Sequence, residues 1–239
     1  MLLAELTATS EAVRATRART EKIDRLAQAL RRMGPDEVAI GVAYLSGELR
    51  QRQIGVGYRS LSELPSPASE PTLALAEVDG ACERIGVMAG PGSQAARREA
   101  LAALFARATE PEQRFLVALM TGELRQGAQE GVMVEAVARA AEVPRDAVRR
   151  ACMLSGDLGA MAAAALSGGV EALGAVGLEV GRPIQPMLAA PGEDVGRVAV
   201  PFGQDFEKTV IFPLNRVGIR FRRHAFQGAN AAPRGRWEC

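Results

Sequence analysis

Residues Leu45–Gly57 read LSGELRQRQIGVG, and Met120–Met133 read MTGELRQGAQEGVM. The five-residue core GELRQ therefore occurs twice. Each copy follows an apolar run, is preceded by Ser or Thr, and leads into a segment carrying two or more glycines. The context of both copies is helical. Upstream of the first, Leu2–Val13 and Thr20–Met33 carry apolar residues at helical spacing, with Ile23, Leu26, Ala27 and Leu30 on one stripe, and Gly34-Pro35 ends the second run. Asp36–Leu45 restarts after Pro35, a first-turn residue, and carries Val38, Val42 and Leu45 inward.

The second copy repeats this order. A Gly/Pro/Ser loop at Gly90–Ser93 opens an amphipathic run with Leu101, Leu104 and Phe105 on one face, and Pro111 then starts the short apolar run that Thr121-Gly122 breaks. Leu61–Ala68, with two prolines and two serines, reads as an exposed linker between two related lobes. After the second copy, Val132–Val143, Pro144–Leu154 and Asp157–Leu166 predict three more helices, with Pro144 at the first helical position, and the helical region ends near Leu178.

Composition agrees with an all-α reading. The chain has 239 residues, 48% of them hydrophobic but only 4% aromatic, and β-branched runs are scarce. A net charge of +1 excludes a strong global field for a polyanion, so any nucleic-acid surface is local. Nearly all basic residues are Arg, with Lys22 and Lys208 the only lysines. Arg suits bidentate phosphate contact and equally suits a GC-rich coding bias. Cys82, Cys152 and Cys239 are odd in number and far apart, which indicates neither a disulfide framework nor zinc. The N-terminus lacks a basic signal region, and no apolar run is long enough for a bilayer. A cytoplasmic protein without a membrane partner is expected.

A Ser/Thr-Gly pair can cap a following turn and expose backbone N–H groups to an anion, with Arg50 or Arg125 nearby to pair with it. Arg52, Gly55 and Gly57 extend the first such site, and Gly127 and Gly131 the second. Two such sites would hold two points along a duplex backbone without reading bases. The alternative is that Gly47 and Gly122 allow close helix packing, and Glu48 and Glu123 pair with neighbouring Arg residues.

Gly181–Ala189, GRPIQPMLA, then forms an extended strap that cannot continue a helix. The doubled GELRQ, SGDLGAMA at Ser155–Ala162 and PIQPMLA at Pro183–Ala189 occur in one order. Together they resemble ATP-dependent DNA ligases over roughly residues 2–192. The resemblance implies a two-lobed helical DNA-binding domain (1–178), a linker to a missing adenylation domain (179–195) and a tail of uncertain fold (196–239). It implies a nicked double-stranded DNA partner, held through phosphates at Gly47, Arg50, Arg52, Gly55, Gly57, Gly122, Arg125, Gly127 and Gly131. Nick sealing in repair, recombination or replication would follow, with the catalytic ligase domains normally in the same chain and ATP and Mg²⁺ used by the full-length enzyme.

The departures are as specific. The lysine that accepts AMP lies in K-x-D-G-x-R in this family, and neither EKIDRL at Lys22 nor FEKTVI at Lys208 fits. The chain is therefore expected to bind no cofactor, to have no catalytic or metal-ligating residues and to be inactive alone, with both lysines reading as ordinary surface residues. Residues 197–239 abruptly concentrate Phe202, Phe206, Phe212, Phe221, Phe226, Trp237 and the single histidine, His224. A truncated or frame-altered gene end explains this shift, and a basic-aromatic nucleic-acid strand is the other reading. A non-catalytic protein–protein scaffold is the alternative function.

Overall fold

A computed structural model describes residues 1–61, 63–124, 126–128 and 130–178. The strap, the tail with its aromatic cluster, Lys208, His224 and Arg125 lie outside the described residues.

Nine α-helices occur among the described residues: α1 (Leu3–Ala15), α2 (Arg19–Arg32), α3 (Pro35–Ser46), α4 (Leu75–Val87), α5 (Ser93–Ala106), α6 (Glu110–Met120), α7 (Glu130–Ala141), α8 (Arg145–Ser155) and α9 (Leu158–Gly174). Their starts follow from local chemistry. Glu5, Glu37 and Glu77 each reach back to accept the backbone N–H three residues earlier, at Leu2, Gly34 and Ala74. Glu112 does the same for Thr109 N–H at 2.8 Å and also takes the Thr109 hydroxyl, a capping box written as T-E-P-E. Asp157 caps α9 by accepting Ala160 N–H. Pro144 stands one residue before α8 rather than in its first turn. The final helix runs further than the apolar pattern predicts, continuing to Gly174 across a kink at Gly169, whose φ of 59° and ψ of −144° only glycine adopts freely.

The apolar stripes meet in one continuous core containing Leu6, Leu26, Leu30, Tyr44, Leu45, Val78, Phe105, Leu116, Met133, Val137 and Val148. The two halves interlock, because α2 packs chiefly on α7, α3 on α9, and α1 on both α2 and α6. Small residues make the α3–α9 approach possible. A Cβ at Gly159 would lie 3.1 Å from the Ala39 carbonyl oxygen. The Leu61–Ala68 segment, expected as an exposed linker, is fastened at several points. Leu61 is buried, Ala68 N–H donates to Ala108 O at 2.9 Å, and Gln113 Nε2 donates to Pro65 O at 3.1 Å. The turn between α5 and α6, through Ala108, and α6 itself, through Gln113, each partner one backbone group of the segment.

Candidate nucleic-acid interface

Both GELRQ copies sit at helix ends and close them identically. Gly47 follows α3 with φ 84°, and Gly122 follows α6 with φ 72°. In the first copy Glu48 N–H donates back to Ala43 O at 2.9 Å; in the second, Glu123 N–H donates to Ala118 O at 2.8 Å. The Ser/Thr-Gly pair thus stops the preceding helix instead of capping the next turn. Glycine tolerates the left-handed residue such a stop requires, and the N–H groups expected to await an anion are used on the helix's last carbonyls.

The parallel extends to the sixth residue. Arg52 and Gly127 follow the two copies of GELRQ directly, and both are left-handed, at φ 58° and 72°. The first copy places an arginine where the second uses glycine. Gly55 is left-handed too, and a Cβ there would lie 2.9 Å from Arg97 Nη1.

The glutamine of each motif anchors it across the molecule. Gln126 is buried, donates to the Leu45 carbonyl at the end of α3 and accepts from the Ser10 hydroxyl of α1. Lys22 Nζ of α2 donates to the Gln126 carbonyl at 2.9 Å, so this half-buried lysine is a fastener and not an ordinary surface residue. Gln51 instead reaches α4, donating from Nε2 to Asp79 Oδ1 at 3.1 Å. Arg50 Nη1 donates to Asp79 Oδ2 at 2.6 Å, and the Tyr44 hydroxyl donates to Asp79 Oδ1 at 3.4 Å. Burial pushes the Tyr44 phenol far up, with the nearby Cys82 and Asp79 adding to it, so it remains a donor.

These anchors bring the two motifs to one open cleft of about 720 Å³, lined by Gly47, Glu48, Arg52, Gly55, Thr121 and Gly122 among others. Arg52 is exposed and makes no ion pair among the described residues. Arg50 turns to α4 and does not line the cleft. Gly57 precedes a single 3₁₀ turn at Tyr58–Ser60 in extended backbone. Gly131, expected in a turn, lies in the first turn of α7, where its carbonyl accepts from Arg19 Nη2 at 3.3 Å. Among the described residues neither Glu48 nor Glu123 forms the ion pair that the packing alternative requires. The neighbouring Glu123 carboxylate raises the pKa of the exposed Tyr58 phenol.

The resemblance first raised by sequence motifs extends to whole-chain comparison. Residues 56–138 match the family described as DNA ligase N terminus, a span that includes the second motif. The chain is 48% identical over 225 residues to a probable DNA ligase of Rhodococcus opacus (strain B4), covering 94% of this chain and 44% of that protein. It is 54% identical over 224 residues to a probable DNA ligase of Mycolicibacterium gilvum (strain PYR-GCK), covering 94% and 43%. A third, from Mycobacterium marinum (strain ATCC BAA-535 / M), is 50% identical over 230 residues, covering 94% and 44%. Residues 56–138 belong to the DNA ligase N-terminal domain family. The chain spans less than half the length of these relatives. Matches to 94% of the chain necessarily enter residues 196–239, further than the motif resemblance reached.

Sequence reasoning about this ligase domain missed Asp79, Lys22 and Tyr58. None belongs to a repeated motif, although the Gln of GELRQ was itself a signal of a buried anchor. Cys82 and Cys152 are buried free thiols, pushed up by desolvation to about 11 and about 12, and are therefore inert near neutral pH. Among the described residues no group of three or more His, Cys, Asp or Glu is placed to hold a metal ion. No helix among the described residues is long and apolar enough to cross a membrane.

Proposed function

We propose that this domain holds nicked double-stranded DNA by its backbone phosphates within an ATP-dependent DNA ligase, while catalytic domains of that enzyme act on the nick. The observation that carries this reading is the meeting of both GELRQ copies at one cleft, with an exposed Arg52, which makes no ion pair among the described residues, presented from a left-handed backbone. A cleft of about 720 Å³ is too small to enclose a duplex. The contact is therefore a point on the backbone, which fixes register without reading sequence. An exposed guanidinium suits two phosphate oxygens at once.

In this reading Gly47 and Gly122 shape the cleft, and Arg52 with the Gly55–Gly57 segment touches the strand. Arg125, Gly127 and Gly131 belong to the second contact. Repair, recombination and replication are the processes such nick sealing would serve.

Fluorescence anisotropy of a labelled nicked duplex across a salt series tests the reading. Affinity should fall steeply with salt, and Arg52→Ala should bind more weakly with a log–log slope smaller by about 0.9, the value for one lost phosphate contact. An intact duplex run in parallel measures preference for the nick. Absence of binding at low salt, or binding that ignores salt, would favour the protein–protein scaffold and overturn the proposal.

A further inference from the structure

The first motif divides its polar side chains between two directions. Arg52 faces the cleft, whereas Arg50, about half exposed, and Gln51, which also reaches Glu83 Oε2 at 3.3 Å, share one carboxylate on α4. That carboxylate, Asp79, is only 7% exposed. Its Oδ2 takes Arg50 Nη1 at 2.6 Å, and its Oδ1 takes Gln51 Nε2 at 3.1 Å and the fully buried Tyr44 hydroxyl at 3.4 Å. The Asp79 backbone carbonyl is a further, longer acceptor for Gln51 Nε2 at 3.4 Å. Two consecutive motif residues and the last turn of α3 thus converge on a group belonging to neither.

Position explains why such a brace is needed. Directly after Gln51 the chain must adopt the left-handed conformation at Arg52, which a non-glycine residue holds only when its surroundings impose it. In the second copy glycine occupies that place, and the anchoring glutamine bonds a backbone carbonyl with no carboxylate involved. Among the described residues the carboxylate brace is found at the copy that carries the strained arginine.

Resting on the DNA-binding reading above, we propose that Asp79 is a positioning residue for DNA: through Arg50 and Gln51 it holds the first motif so that Arg52 meets a phosphate, and Arg50 itself contacts none. Arg50 is about half exposed but gives Nη1 to that buried anion, so in this proposal it contributes no counterion release. Its removal should misplace the contact without deleting one.

The test compares the parent chain with Asp79→Asn, Arg50→Ala, the double variant and Arg52→Ala, measuring nicked-duplex affinity against salt and thermal midpoints together. Asp79→Asn and Arg50→Ala should each weaken binding about tenfold, the scale of one misplaced charge-assisted contact. Both should keep the parent's salt slope, whereas Arg52→Ala lowers it by about 0.9. The double variant should bind no worse than the weaker single, since both break one brace. If Asp79→Asn is unfolded at the assay temperature, Gln51→Met decides, with weaker binding and an unchanged slope expected. A slope reduced by Arg50→Ala would make Arg50 a phosphate ligand and overturn the proposal. Parent-like affinity in Asp79→Asn, or in Gln51→Met where that variant decides, would reduce the brace to a purely structural one and overturn it too. If the parent does not bind, the positioning role falls together with the functional reading; if it binds and only the brace variants disagree, the functional reading stands.

Discussion

Replacing Arg52 by glycine separates stability from function within one residue. Arg52 has φ 58°, in the left-handed region, where an L-residue costs about 1–2 kcal/mol that glycine avoids. Glycine returns about 0.5–1 kcal/mol of that through its freer unfolded chain. The net is a gain of about 0.5–1 kcal/mol. In a domain of this size about 1 kcal/mol moves the thermal midpoint by about 2–4 °C. Arg52→Gly should therefore melt about 1–4 °C above the parent. At the same time it removes the exposed guanidinium from the cleft, so duplex affinity should drop about tenfold and the salt slope by about 0.9. Arg52→Ala is the control, because it loses the same contact while keeping the strained backbone and should show no rise in midpoint. Calorimetry and anisotropy on the three proteins give the answer. A lower midpoint for Arg52→Gly would mean that the arginine side chain stabilises the fold by more than its backbone costs, and strain at this position would no longer point to function. A higher midpoint with unchanged DNA binding would show strain without that function.

Three further outcomes follow from the same geometry. Gly47→Ala should destabilise more than Gly122→Ala in chemical denaturation: both residues are left-handed, but a Cβ at Gly47 meets the Leu124 carbonyl oxygen at 3.0 Å and one at Gly122 meets nothing within 4 Å. Gln126→Leu should lower stability by about 1–3 kcal/mol by leaving the Leu45 carbonyl and Ser10 hydroxyl without their buried partner, which a midpoint shift in urea would reveal. Glu135 is held below the usual carboxylate range by a hydrogen bond from Arg19, with the Arg19 and Arg145 charges assisting, so its folded pKa lies below its unfolded one. Its stabilising contribution is present above the reference value of 4.5 and is lost as pH falls through the lower folded value. The midpoint difference between parent and Glu135→Gln should accordingly be visible near neutral pH and vanish in acid.

The helices were legible because their signals are local. Apolar spacing marked α1 to α3 and α5 to α8, Pro35 and Pro111 fell in first turns, and few strand-forming residues competed. The limits of that legibility are also physical. The kink in α9 and the longer helix beyond it depend on Gly169, which periodicity alone treats as an ending. The Ser/Thr-Gly pair was read as a beginning and is a stop, since the same residues serve either end of a helix and hydrogen bonds to Ala43 and Ala118 decide which.

By itself the sequence determined an all-α domain, the doubled motif and the ligase resemblance, because helix periodicity and motif order are properties of consecutive residues. It could not determine which way each motif side chain points. Only the tertiary structure decided that Arg52 faces a cleft shared by both copies while Arg50 and Gln51 turn to Asp79, and that Gln126 fastens α1 and α3 with Lys22 of α2 beside it. Buried carboxylates and carbonyls must find partners wherever packing places them, and those partners lie on other helices, many residues away along the chain.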